Sequence, residues 1–321
     1  MLKKAKILSI ALLFPVLAAA YTPQKEALLV GVGEYQNGMG MMNLDGVDKD
    51  ILRMKKLLEE RGFHVRVLFN SEATLDNVRR ALRSYQNLSS NDSFFYYESS
   101  HGTQVPDVNG DEEDKKDEAF VLYDAEFGSS GIMNSSGLLI DDELESMLSG
   151  IPAKKVMFAD ACHSGTMYKG LNSRLKSKTV RLSPYYRGKG ILGPVRKPEN
   201  LVTLSASGDR EQSLASPQGS LFTSAVYDAW SSQPDITFQN MERLTAKHIE
   251  NRCMQERSGG GDAPVFHPAL YATKGQFKAE PIDQYLQVNI TINQETNLAE
   301  DYLDSLMADG EVGSLAVKNK A

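Results

Sequence analysis

Strand-like and helix-like segments alternate along most of this chain, and the alternation limits the folds that it can adopt. Short, strongly apolar runs are typical of buried strands, and the segments between them repeat apolar residues at helical spacing. The predicted strands are 26–33, 63–69, 91–98, 154–159, 201–207 and 267–273, and the predicted helices are 45–61, 74–88, 139–148, 221–230 and 241–255. This order predicts an α/β fold with a mainly parallel sheet that is covered by helices on both faces.

Two of the predicted strands end abruptly in small and reactive side chains. The run 91–98 leads into His101, and the run 154–159 leads into Cys162. Because active-site residues of parallel sheets belong at the carboxyl ends of the strands, we expect both side chains at one edge of the sheet. An imidazole can accept a thiol proton and later protonate a departing amine. We therefore predict acyl transfer with Cys162 as the nucleophile and His101 as the acid/base.

Each of these residues also has a structural interpretation. A cysteine at the end of a buried strand is usually an inert small hydrophobe, and a lone histidine is usually structural. His163 is a rival base, although adjacent side chains on an extended segment point apart.

The residues around the pair resemble a known family. The segments read His-Gly-Thr-Gln from His101 and Asp-Ala-Cys-His-Ser-Gly from Asp160, which is similar to the metacaspase branch of the caspase-like (clan CD) cysteine peptidases, in its bacterial, secreted form. The separation of 162 − 101 = 61 residues is close to the roughly 50 residues of caspases. The resemblance covers about residues 26–275 and implies a three-layer α/β sandwich around a mainly parallel, six-stranded sheet.

The resemblance also implies roles for neighbouring residues. The backbone N–H groups of Gly102 and Cys162 would bind a developing oxyanion, since glycine permits a close approach. An acidic pocket would select arginine or lysine before the scissile bond. The residues that match this pocket are Asp50, Ser99, Asp160 and Asp209, for which a solvated or capping acid is the alternative. Similar proteins usually carry glycine in place of Ser100 and often cysteine in place of Val47.

An acidic segment at 107–118 spaces its oxygen-bearing side chains like a calcium loop. The glycine that an EF-hand requires at its sixth position is Glu112 here, so we interpret the segment as a solvated loop. The resemblance implies a different, activating calcium site at Asp117, Asp141 and Asp142, whereas a fourth acid of the family falls near Lys169. Helix capping is the alternative for Asp141 or Asp142. We expect no organic cofactor.

The first twenty residues have the three-part layout of a secretory signal peptide. Three lysines precede the apolar run 7–17, and three alanines end at Ala20. The run is short for a membrane span, so we expect cleavage after Ala20 and a periplasmic or secreted chain without a stable span. Losing three lysines changes the formal charge from −7 to −10. This acidity argues against nucleic acid and suits a basic peptide substrate.

The rest of the chain divides into a peptidase domain and a tail. The predicted domain covers residues 21–275, and residues 276–321 form a tail or small appendage with a strand-like run at 285–292. Within the domain, the segment 166–200 is strongly basic and predicts an exposed loop. We expect Cys253 to be a core residue that does not pair with Cys162, because a disulfide would silence the nucleophile.

Together these features predict a monomeric cysteine endopeptidase that cleaves peptides or proteins after Arg or Lys. Its reaction would pass through a thioester acyl-enzyme, with activation by calcium and self-processing in the basic loop. One alternative is a peptidase of legumain or gingipain type with another specificity. The other is a calcium-responsive scaffold with an inactive dyad, which Ser100 and the missing fourth acid would favour.

Overall fold

Six of the apolar runs form one sheet. Its strands are β1 (Lys25–Gly31), β2 (His64–Phe69), β3 (Ser93–Ser99), β4 (Lys154–Asp160), β5 (Leu201–Ser205) and β6 (Ala269–Ala272). Their order across the sheet is β2-β1-β3-β4-β5-β6, and only the last pair is antiparallel. The predicted mainly parallel, six-stranded sheet is confirmed.

Helices cover both faces because side chains alternate along the strands. Phe94 and Tyr96 of β3 pack in a core on one face, and Phe95 and Tyr97 pack in a second core on the other. The helices are α1 (Val47–Glu59), α2 (Leu75–Ser84), α3 (Asp141–Ser149), α4 (Leu221–Ser232), α5 (Phe238–Ser258) and α6 (Ile282–Tyr285). Residues of α2 and α3 contribute to the first core, and residues of α1, α4, α5 and α6 to the second. This arrangement is the predicted three-layer sandwich.

The computed structural model describes residues 22–37, 43–112, 114–162, 175–188, 195–208 and 211–288. Residues 23–289 form one compact unit. The predicted signal peptide 1–20, Asp209, His163, Lys169, parts of the basic loop 166–200 and the chain after residue 288 lie outside the described residues. Among the helices that are described, none is both long and apolar enough to cross a membrane.

Small sheets and turns complete the structure. A three-stranded antiparallel sheet contains His101–Pro106, Lys116–Val121 and Leu138–Ile140. Two antiparallel pairs join Phe127–Gly128 to Gly131–Ile132 and Lys176–Ser177 to Leu214–Ala215. Single 3-10 turns occupy Asn70–Glu72, Tyr85–Asn87 and Gly275–Ala279.

Two segments differ in detail from the interpretation of the sequence. The acidic segment 107–118, interpreted as a solvated loop, ends in a strand, because Lys116–Val121 pairs with His101–Pro106. The core also continues past the predicted domain end at residue 275. Tyr285 and Leu286 are buried in the second core, so Tyr285 ends a helix and does not begin a strand.

Candidate active site

The predicted dyad lies at the carboxyl edge of the sheet, on neighbouring strands. Ser99 of β3 is paired in register with Asp160 of β4, and His101 and Cys162 each follow two residues later. Both residues are buried, at 5% and 0% exposure. The strand register therefore places the histidine and the cysteine at the same edge of the sheet.

Aromatic and backbone groups position the histidine segment. The imidazole of His101 lies against the ring of Tyr35 with centroids 5.4 Å apart. The backbone N–H of His101 donates to the Tyr35 hydroxyl at 2.8 Å. Ser100 is fully buried, and its hydroxyl donates to the His101 carbonyl oxygen at 3.0 Å. The serine that departs from the family pattern thus fits beside the histidine with its hydroxyl paired.

The sulfur of Cys162 is held by the segment that follows β5. It accepts the backbone N–H of Ser213 at 2.9 Å, and the thiol donates to the Glu211 carbonyl oxygen at 2.9 Å. Cys253 is buried in α5, and both cysteines are free thiols. Burial raises the pKa of Cys253, which suits its predicted role in the core.

The structure brings together three of the four predicted pocket residues. Asp50 on α1, Ser99 at the end of β3 and Asp160 at the end of β4 are all completely buried. The carboxylate of Asp160 accepts from the hydroxyls of Ser213 at 3.2 Å and Thr223 at 2.6 Å, and from Ser220. Hydroxyl groups of three residues thus donate to this buried carboxylate.

Asp50 forms the opposite wall of the pocket. Its carboxylate accepts the backbone N–H of Ser220 at 2.9 Å. Burial raises its pKa to about 7, while the nearby Lys178 ammonium opposes that shift. Gly219 packs directly on this carboxylate with φ of +110°, and a Cβ there would come within 2.6 Å of Asp50 Oδ1. The wall therefore requires glycine at residue 219.

A lysine from the chain itself occupies this acidic pocket. Lys178 is completely buried, and its ammonium has three donors. They reach the hydroxyl of Ser99 at 2.8 Å, the carbonyl oxygen of Asp160 at 2.9 Å and the carboxylate of Asp160 at 2.9 Å. The carboxylate of Asp50 lies 4.0 Å away. The buried cation is thus paired and fully hydrogen-bonded.

The backbone around Lys178 is bound as an extended strand. Its N–H donates to the Ser213 carbonyl oxygen at 3.1 Å, and its own carbonyl oxygen accepts the N–H of Gly102 at 2.8 Å. The N–H of Val180 then donates to the Gly102 carbonyl oxygen at 2.9 Å. Gly102, which the resemblance assigns to the oxyanion site, therefore donates to the carbonyl oxygen of Lys178. The side chain of Lys178 fills the acidic pocket.

The predicted calcium residues are only partly brought together. Oxygen atoms of Asp107, Asp111 and Asp117 lie within 4.8 Å of one another. Asp117 is 1% exposed, and neither of its carboxylate oxygens has a hydrogen-bond partner. Burial, reinforced by Asp142, raises the pKa of Asp117 to about 7. This orphaned, buried carboxylate facing two further acids is a donor set that fits a hard cation.

The other two predicted ligands have local partners. Asp142 is 5% exposed and accepts from the side chain of Asn109 at 2.7 Å. Asp141 accepts the backbone N–H of Asp142 at 2.9 Å, at the start of α3. Sequence reasoning treated the acids at 107 and 111 as solvated loop residues, so it missed that they converge on Asp117.

Sequence reasoning also missed the residues that build the back of the pocket. Lys178 was one of many cations in the basic segment, and nothing local distinguishes it. Ser213, Ser220 and Thr223 come from a run rich in serine and threonine that enters α4, with Ser220 as the N-cap. The capping pattern was a usable signal for the start of the helix but not for its contact with Asp160.

A cysteine and a histidine at the carboxyl ends of neighbouring parallel strands, in a six-stranded sandwich, define a caspase-like class of protein. The Caspase domain family matches residues 24–268, so the chain belongs to that family. Metacaspase-1 of Coccidioides immitis is 32% identical over 216 residues, which cover 62% of this chain and 42% of that relative. The chain thus spans about two fifths of this relative. The predicted metacaspase-like membership is confirmed, and the bacterial, secreted subtype stays a prediction.

Solved structures show the same fold. A protein from Geobacter sulfurreducens superposes with a TM-score of 0.59 at 21% identity, covering 81% of this chain and 98% of that one. Caspase-1 from Spodoptera frugiperda superposes with a TM-score of 0.50 at 13% identity, covering 78% and 86%. The predicted caspase-like sandwich is therefore confirmed.

The buried lysine makes the pocket a sensitive point for stability. Lys178→Met leaves two buried acids without their cation, and breaking such a pair costs about 3 kcal/mol or more. We expect a corresponding loss in the free energy of unfolding, measured by denaturant titration. Lys176→Met is the matched control, because its ion pair with Asp45 is half-exposed and contributes less than about 1 kcal/mol. Equal stability of the two variants would contradict this assignment.

Proposed function

We propose that this protein is a cysteine endopeptidase that cleaves after lysine or arginine. The proposal rests on two contacts of Lys178. Its ammonium forms an ion pair with the carboxylate of Asp160, and its carbonyl oxygen accepts the N–H of Gly102. These two contacts are the ones that a substrate residue before a scissile bond would need. Membership of the caspase-domain family and similarity to metacaspases support the same conclusion.

The reaction would proceed by acyl transfer to and from sulfur. The Cys162 thiolate attacks the substrate carbonyl carbon, and the oxyanion that forms is stabilised by the N–H groups of Gly102 and Cys162. The C–N bond then breaks, and His101 gives its proton to the leaving amine. His101 next takes a proton from water, which hydrolyses the thioester and regenerates the thiol.

The pocket explains a preference for basic residues. Asp160 is buried, and hydroxyl groups of three residues donate to its carboxylate. An uncharged side chain would leave this carboxylate desolvated and without a cation, which is costly. An acidic side chain would add repulsion to that cost.

The same arrangement supports a proposal of self-processing. The peptide bond between Lys178 and Thr179 lies where the bond of a bound substrate would lie, because Lys178 fills the pocket and Val180 continues along Gly102. We therefore propose that this bond is the first one cleaved in the basic loop. Until then, the segment blocks the pocket against other substrates.

Fluorogenic peptides ending in Lys, Arg, Asp or Ala test the proposed specificity. We expect hydrolysis of the Lys and Arg peptides only, and its loss in Cys162→Ala. Asp160→Ala should reduce kcat/KM for the Lys and Arg peptides by 100-fold or more, on the order of 3 kcal/mol for a buried charge pair. It should leave the labelling of Cys162 by a small alkylating reagent intact.

Three outcomes would contradict the proposal. Cleavage after Asp would overturn the assignment of the pocket. Undiminished cleavage of the Arg peptide by Asp160→Ala would remove Asp160 from it. Failure to cleave any peptide would favour the scaffold interpretation.

We also propose that calcium activates the enzyme through the site around Asp117. Two ligands at the Ca²⁺–oxygen distance of about 2.4 Å can be at most about 4.8 Å apart, and the oxygens of the three acids meet this limit. The strand of Asp117 pairs with the strand of His101, with Val105 opposite Asp117. A bound cation would relieve repulsion among the acids and so stabilise the hairpin that carries the histidine.

Direct binding tests the calcium site without relying on activity. We expect the Cys162→Ala protein, which keeps all the acids of the site, to bind Ca²⁺ by isothermal titration calorimetry and to melt at a higher temperature with it. Asp117→Asn should abolish both effects. Asp114→Asn is the matched control, since Asp114 caps the N–H of Lys116 on the exposed side of the loop. Equal binding by the Asp117 variant would exclude this site.

We also propose that the protein is exported, and this proposal rests only on the sequence pattern of residues 1–20. A periplasmic or extracellular location would keep an arginine- and lysine-directed peptidase away from cytoplasmic proteins.

A further inference from the structure

An acidic cavity lies beside the pocket of Lys178, and a second lysine of the chain reaches its edge. The ammonium of Lys176 lies 2.9 Å from the carboxylate of Asp45 and donates to the carbonyl oxygen of Asn43 at 3.2 Å. Lys176 precedes Lys178 by two residues. The internal segment, residues 176–178, therefore forms an ion pair with an acid at two alternate positions of one extended peptide.

Strand geometry explains why alternate residues meet acids. Lys176 and Ser177 pair antiparallel with Ala215 and Leu214, and side chains of a strand alternate between its two sides. Lys176 and Lys178 therefore point to the same side, whereas Ser177 points away. A substrate that pairs with residues 214–215 in the same register would present its corresponding side chains to the same acids.

The cavity has a marked charge asymmetry. It has a volume of about 390 Å³ and is lined by Asp45, Asp48 and Glu34, together with backbone and neutral side chains. None of its lining residues is basic. Lys49 offsets Asp48 at 2.9 Å, and of the remaining acids Asp45 is the one that Lys176 contacts.

We propose that Asp45 forms a second specificity site, which recognises a basic residue three positions before the scissile bond, two residues before the one that fills the pocket of Lys178. The substrate class is then peptides with the pattern Lys/Arg-x-Lys/Arg, cleaved after the second basic residue. This inference rests on the proposed endopeptidase function and narrows it.

The second site is weaker than the first because water reaches it. The side chains of Lys176 and Asp45 are 46% and 54% exposed, and exposed ion pairs give at most a modest energy. We expect a preference of about three- to five-fold in kcat/KM over alanine at this position. The preference should shrink as the salt rises towards about 0.5 M, where the Debye length is only a few ångströms.

Three fluorogenic peptides that differ at one residue test the inference: Lys-Ser-Lys, Ala-Ser-Lys and Glu-Ser-Lys. Measuring them as competing pairs in one reaction cancels any competition from the internal segment. Wild-type enzyme should prefer the first peptide and disfavour the last. Asp45→Lys should reverse that order. Glu59→Gln, an exposed acid at the far end of α1 that pairs with Lys55, is the control and should keep the wild-type order.

The outcomes separate this inference from the proposal on which it rests. Equal kcat/KM for all three peptides at low salt, or an unchanged order in Asp45→Lys, would overturn the second site and leave the endopeptidase intact. Failure to cleave even Ala-Ser-Lys would overturn the proposed function and the second site with it.

Discussion

The buried ion pair between Lys178 and Asp160 is the interaction around which the site is organised. Removing an ammonium and a carboxylate from water is costly, and the cost is recovered only with good geometry and complete hydrogen bonding. Here all three ammonium donors have acceptors, and the carboxylate has donors from Ser213, Ser220 and Thr223. The pocket therefore provides a complete set of partners for a buried cation.

The sheet register determines where that environment lies. Because Ser99 and Asp160 are partners on β3 and β4, the pocket lies directly before the dyad on both strands. α1 supplies Asp50 and the entry to α4 supplies the hydroxyl donors, so the pocket draws on four separate parts of the chain. The reactive residues follow two positions later on each strand.

Much of this structure could be predicted from local patterns. The alternation of apolar runs and helical spacing predicts the layers, and the abrupt ends of two runs predict the edge at which His101 and Cys162 lie. The family resemblance adds Asp50, Ser99 and Asp160, which do meet in space. Lys178 could not be found in this way, because its burial depends on contacts between residues far apart in the chain, and a lysine in a basic segment predicts exposure. The convergence of Asp107 and Asp111 on Asp117 likewise depends on the hairpin, which a search for an EF-hand pattern does not reveal.

We propose that Lys178 is bound as the chain's own substrate, and the most direct test is to map self-cleavage. The full-length chain is incubated with calcium, and its fragments are identified by intact mass and N-terminal sequencing. The account predicts a new N-terminus at Thr179, which is absent in Cys162→Ala and lost in Lys178→Gln, although the latter still cleaves lysyl peptides. An active enzyme that leaves the bond between Lys178 and Thr179 uncut, or cuts it equally without Cys162, would contradict the account.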